Sequence, residues 1–172
     1  FDAYELQNNL DAERTSFKRA TCLTERGIEE AKLIGNTFKM LNVKLGEVFT
    51  SPSCRARMTS KFAFGGEGQI ENAILHRTAI IPSQHKEAAL KLKEIMLNAT
   101  ISDDSNVIIS GHGGTLKYDK DIIFSGEVPE NIDKRNEGGF VVIERIDDKF
   151  FVRFVFESFS TFVNNIVELN IK

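Results

Sequence analysis

The sequence predicts an α/β domain with a mixed, mostly parallel sheet that closes on a β-hairpin. Three observations lead there. Apolar stripes at helical spacing alternate with short β-branched runs, two of those runs end in loops rich in Ser or Gly, and two alternating apolar segments flank Asp147-Asp148-Lys149. Strands alternating with amphipathic helices define layered α/β domains, in which ligands bind beyond the carboxyl ends of the strands.

Residues 1–21 are polar and irregular and read as a loop. Thr24 is the expected N-cap of a first helix, with Leu23 and Ile28 placed as a hydrophobic staple. Ala31, Ile34, Phe38 and Leu41 then recur at spacings of three and four and give that helix one apolar stripe. A short strand is expected over Glu47–Thr50, ending at Ser51-Pro52. A second helix should run from about Arg55 to Phe64 and stop at Gly65-Gly66. The stretch from Ile70 to Ile81 has no clear period. Ser83 is the expected cap of a third helix, whose apolar face is Ala88, Ala89, Leu92, Ile95 and Met96. Val107-Ile108-Ile109 reads as a buried strand. Residues from Thr115 to Arg135 are polar and give no pattern. Phe140–Ile146 and Phe150–Phe156 form the hairpin, and a last short helix should begin near Ser160. With no internal repeat, low-complexity tract or linker, residues 1–172 read as one domain.

Bulk properties exclude several classes. The 172 residues carry a net charge of −3 with no long basic run, which argues against nucleic acid or an anionic membrane as partner. No apolar stretch approaches the roughly 20 residues needed to span a bilayer. Phe1-Asp2-Ala3-Tyr4 shows no signal-peptide pattern, although a leader removed from a longer precursor stays possible. Two cysteines are too few for a zinc site, and no other metal cluster is visible.

The chemistry is expected in two loops. Arg55 follows a strand and a Ser-Pro step at the start of a helix, where its guanidinium fork and the helix amides suit a phosphate or carboxylate. His112 stands between Gly111 and Gly113-Gly114, which would let backbone approach a ligand, with the Gly113 amide as a further donor. If the strands at Val48 and Val107 are neighbours, both loops open on one crevice and make an anion pocket fit for a phosphoryl group. His76 and His85 invite plainer explanations: a hydrogen-bonded, partly buried residue and a solvated one.

Leu23-Thr24-x-x-Gly27-x-x-x-Ala31, Ser51-Pro52-x-x-Arg55-Ala56-x-x-Thr59 and Gly111-His112-Gly113-Gly114-Thr115-Leu116 follow one another in an order that resembles the histidine phosphatase (phosphoglycerate mutase-like) superfamily, over roughly residues 19–116. The resemblance implies a three-layer domain and a phosphatase that acts through a phosphohistidine without metal or cofactor. Its substrate would be a phosphorylated small molecule or a phosphoprotein. Arg55 would be the family's second arginine and His112 its second histidine, while Arg57 does not match. The family's nucleophile lies in an Arg-His-Gly segment ending the first strand, and these 172 residues contain none. Either that strand lies just upstream of Phe1, or the protein is a catalytically silent phosphate-binding domain. For the general acid, Glu71 and Glu137 are candidates, and some short members of the family manage without one.

Cys22 and Cys54 are either two buried thiols or a pair at the same sheet edge. A disulfide would imply an oxidising compartment, periplasmic or secreted; free thiols would suit the cytoplasm.

Overall fold

The fold is a computed structural model that describes residues 22–76, 80–102, 104–133 and 136–170. The loop expected over 1–21 therefore lies outside the described residues.

The elements appear in the expected alternation. Helix α1 (Glu25–Met40) begins at Thr24, whose extended backbone and side-chain oxygen, accepting from the Gly27 amide at 3.2 Å, make it the N-cap. Strand β1 (Leu45–Thr50) starts two residues earlier than expected, and helix α2 (Cys54–Phe64) one residue earlier. Gly65 ends α2 in the left-handed conformation (φ 85°), which accounts for the glycine there. Strand β2 is only Gln69–Ile70, and a 3-10 turn at Asn72–Ile74 follows it. The third helix, α3 (His85–Asn98), is not capped by Ser83. Pro82–Gln84 form a 3-10 turn that runs straight into it, and Gln84 occupies the cap position. After β3 (Asn106–Ser110) comes an element with no sequence pattern, helix α4 (Gly113–Ile123). The hairpin β4 (Phe140–Ile146) and β5 (Lys149–Phe156) turns at Asp147, which takes a positive φ of 55°. Helix α5 (Phe159–Asn170) closes the described chain.

The strands form a three-stranded parallel sheet, ordered β2-β1-β3, and a separate antiparallel pair, β4-β5. Phe49 of β1, Leu92, Ile95 and Met96 of α3, Ile123 of α4 and Phe150 of β5 belong to one buried core, so sheet, helices and hairpin share it. A second apolar contact region is aromatic: Phe38 of α1 meets Phe64, Phe140 and Phe162 with ring centroids 6.0–6.1 Å apart. Helix α1 also packs on α2 at close range, because Gly35 presents no side chain to the Ala63 carbonyl. Among the described residues no helix is long and apolar enough to cross a membrane.

Candidate functional site

Two parallel strands bring the two loops together. Thr50 of β1 pairs with Ser110 of β3, and the Ser51 amide donates to the Ser110 carbonyl at 2.9 Å. The next residues leave the same sheet edge side by side. Ser53 becomes the N-cap of α2 and His112 the N-cap of α4, so two helices of 11 residues each start at one place. Neither first turn holds an acidic residue. Their positive dipole ends are therefore not offset locally.

Arg55 and His112 touch. The Arg55 Nη2 lies 3.0 Å from His112 Nδ1, and His112 Nε2 lies 2.9 Å from Ser51 Oγ and 3.3 Å from Ser53 Oγ. A guanidinium has donors only, so this contact requires a lone pair on Nδ1 and places the ring proton of the neutral imidazole on Nε2. Nε2 then donates to Ser51 Oγ, which also accepts from the Ser53 amide at 3.3 Å and donates to Ser53 Oγ at 3.4 Å. Both hydroxyls are fully buried. They fix the imidazole plane from behind while the Arg55 fork stays on its other nitrogen.

Supporting bonds hold the first turn of α2 against the sheet. Ser110 Oγ donates to the Ala56 carbonyl at 3.0 Å, and Thr59 Oγ1 donates to the Arg55 carbonyl at 2.9 Å. Cys22 and Cys54 stand at disulfide distance with Cα atoms 4.7 Å apart, which links the residue before the α1 cap region to the residue before Arg55. The paired-cysteine alternative is thus the one observed. Arg57, one step along, is engaged elsewhere: its Nε donates to Glu67 Oε2 at 2.7 Å.

The glycines of the His112 loop serve a purpose the sequence did not disclose. A Cβ on Gly111 would lie 2.6 Å from Ile74 Cγ2, and one on Gly114 would lie 2.4 Å from His76 Nε2. Both glycines thus make room for the segment that follows β2. Thr115 clamps the same segment, its hydroxyl lying 3.2 Å from the Ile74 carbonyl and 3.1 Å from the Leu75 carbonyl. Gly113 is the exposed first residue of α4.

This clamp delivers a residue that sequence reasoning set aside. His76 is half-buried, and its ring sits edge-on to that of His112, centroids 5.7 Å apart at an interplanar angle of 72°. No local spacing marks it, because it lies in the stretch without period. His85, expected in solvent, is half-buried instead: its Nε2 is 3.1 Å from the Ile80 carbonyl and its ring 5.7 Å from that of Tyr118.

The two candidate acids lie apart from these contacts. Glu71 lines a groove of about 260 Å³ with Glu47, Gln69, Lys91 and Glu94. Glu137 lines another, of about 420 Å³, with Thr24, Arg26 and Glu30. Among the described residues no group of three or more His, Cys, Asp or Glu is arranged to hold a metal ion.

One guanidinium, two imidazoles and two helix N-termini thus converge, a set suited to a small anion. No protein-family model matches the chain, and no curated protein matches it.

Proposed function

We propose that this chain carries the phosphoryl-binding half of a histidine-phosphatase site, within a three-layer phosphoglycerate mutase-like domain. The reaction is hydrolysis of a phosphomonoester or phosphohistidine through a phosphohistidine intermediate. One observation carries the reading: Arg55 and His112, 57 positions apart in the chain, meet at 3.0 Å at the carboxyl end of two parallel strands. An incoming phosphoryl group replaces that direct contact: the Arg55 fork donates to its oxygens, and His112 donates from Nδ1 once that nitrogen carries a proton. The bidentate fork fits two of them, and the dipoles of α2 and α4 favour the negative charge.

On this reading the attacking imidazole belongs to an Arg-His-Gly strand preceding residue 1. Among the described residues β3 pairs with β1 alone, and the central-strand composition of its half-buried Val107, Ile108 and Ile109 supports a further strand beside it. Covalent catalysis then proceeds in two steps, transfer to that histidine and hydrolysis by water. Arg55 and His112 stabilise charge on the transferred group, with the Gly113 amide as a further donor. Glu71 remains the first candidate for the leaving-group acid and Glu137 the second.

A second reading keeps the binding and drops the chemistry. Both readings require phosphate binding, so that is measured first, by calorimetry on the wild-type chain and on Arg55→Ala and His112→Ala. Each substitution should weaken binding severely. Turnover of an aryl phosphate by the protein with the segment preceding residue 1 included then separates the enzyme from the binding domain. Where turnover occurs, each substitution should lower it by about 10²–10³. Wild-type affinity in both variants refutes the two readings together.

A further inference from the structure

We propose that His76 is a third substrate-contacting residue, whose imidazole donates to an oxygen of the bound phosphomonoester on the α4 side of the pocket. The inference rests on the phosphate reading of Arg55 and His112 and adds a residue to it.

Its position is built rather than incidental. The chain reaches His76 through a segment fixed at three points: the Glu71 amide donates to the Thr50 carbonyl at 2.9 Å, Ile74 fills the space beside Gly111, and the Thr115 hydroxyl lies within 3.2 Å of the Ile74 and Leu75 carbonyls. The ring that follows lies over the first turn of α4, where Gly114 leaves the only kind of space that would admit it. A methyl group there would come within 2.4 Å of Nε2, 2.7 Å of Cε1 and 2.9 Å of Cδ2. The residue that would normally strengthen the helix is thereby excluded, and what occupies its place is an imidazole beside His112.

The chemistry of that place favours an anion. His76 stands next to a second imidazole, which the Arg55 guanidinium also touches, and it lies against the N-terminal turn of a helix without an acid in its first turn. A phosphomonoester dianion bound by Arg55 and His112 lies within reach of a ring one imidazole further on. Hydrogen bonds to a charged oxygen are among the stronger ones.

The test uses the 172-residue chain, which has three histidines. Imidazole proton resonances are assigned through bond and through space in the isotope-labelled wild type and followed during titration with inorganic phosphate at neutral pH. Resonances of His76 and His112 should move with one dissociation constant while those of His85, held by Ile80 and Tyr118, stay in place. His76→Ala should weaken phosphate binding about tenfold or more. His76→Asn, which keeps a donor, should recover part of that loss, and Gly114→Ala should mimic His76→Ala by displacing the ring. The proposal is overturned if His112 responds while His76 does not, or if His76→Ala binds as the wild type does while His112→Ala fails. The resonance test needs no variant to fold. If neither imidazole responds and Arg55→Ala changes nothing, the phosphate reading itself falls, and this role with it.

Discussion

Gly35→Ala sets two effects of opposite sign against each other inside α1. Alanine is a better helix former than glycine by about 1 kcal/mol, so propensity alone predicts stabilisation. Packing predicts the reverse. Gly35 is buried where α1 crosses α2, and its added Cβ would lie 2.1 Å from the Ala63 carbonyl oxygen, 2.8 Å from its carbon and 3.0 Å from its Cα. Ordinary contact begins near 3.4 Å, so the helices must part by about 1.3 Å, the difference from 2.1 Å. Those atoms are backbone and cannot rotate away. The Cys22–Cys54 link and the Phe38–Phe64 contact also resist separation of the pair. Overpacking of this kind costs about 1–3 kcal/mol, and backbone against backbone belongs at the upper end. After the propensity gain is subtracted, the variant should be less stable by about 2 kcal/mol. With a urea m-value of about 2 kcal/mol/M, the equilibrium midpoint falls by about 1 M. Gly27→Ala is the control: it lies in the same helix, but its nearest contact is the flexible Leu23 Cδ2 at 3.3 Å, so its midpoint should hold or rise slightly. An unchanged or raised midpoint for Gly35→Ala, at unchanged m, would show that α1 and α2 do not approach as described.

Cys22 and Cys54 are 32 positions apart, and a cross-link of that span restricts the unfolded chain by about 3.7 kcal/mol at 25 °C. The Cys22→Ser/Cys54→Ser double variant should lose stability on that scale in urea, and thiol reductant should bring the wild type toward it. Arg55→Lys keeps the charge but not the fork, so its phosphate affinity should resemble that of Arg55→Ala rather than the wild type in calorimetry. Arg57→Ala should leave phosphate binding unchanged, because that guanidinium serves Glu67; a loss equal to that of Arg55→Ala would mean that the wrong arginine has been assigned. Any phosphatase activity of the complete site should survive chelator, and its full loss would contradict a metal-independent mechanism.

Elements that declare themselves by a local rule were legible in the sequence. Thr24 capping α1, Gly65 ending α2 and Asp147 at the hairpin turn each follow from the conformation that one residue type adopts readily. Helix α4 was not legible, because it begins with two glycines that propensity scores as breakers, and Gly114 is there to admit His76 from another segment. β2 is two residues long, too short for any period to show. Arg55 and His112 could be singled out because each follows a strand end, a position that carries meaning before the fold is known. His76 could not. Its neighbour is His112, 36 positions away, and long-range anchors such as the clamp of Thr115 on the Ile74 and Leu75 carbonyls bring the two rings together.

The meeting of Arg55 with His112 depends on strand register more than on either loop. Between Leu45 and Val48 the register against β3 shifts, so that three steps along β1 match only two along β3, from Asn106 to Ile108. An irregularity of this kind moves everything beyond it by one residue, about 3.3 Å along the strand, and exchanges the faces to which side chains point. Anchors on both sides fix it. Before it, the Lys44 carbonyl accepts from the Asn106 amide at 2.8 Å and from its side chain at 3.2 Å. Beyond it, Thr50 pairs with Ser110 and the Ser51 amide reaches the Ser110 carbonyl. With that offset Phe49 faces the core, and Ser51 and Ser53 reach the buried side of His112. Without it, Thr50 would face Gly111 and α2 would start one residue further along the edge, parting the guanidinium from the imidazole by more than a hydrogen bond can span. A single extra residue at the far end of β1 thus determines whether the two groups share an anion.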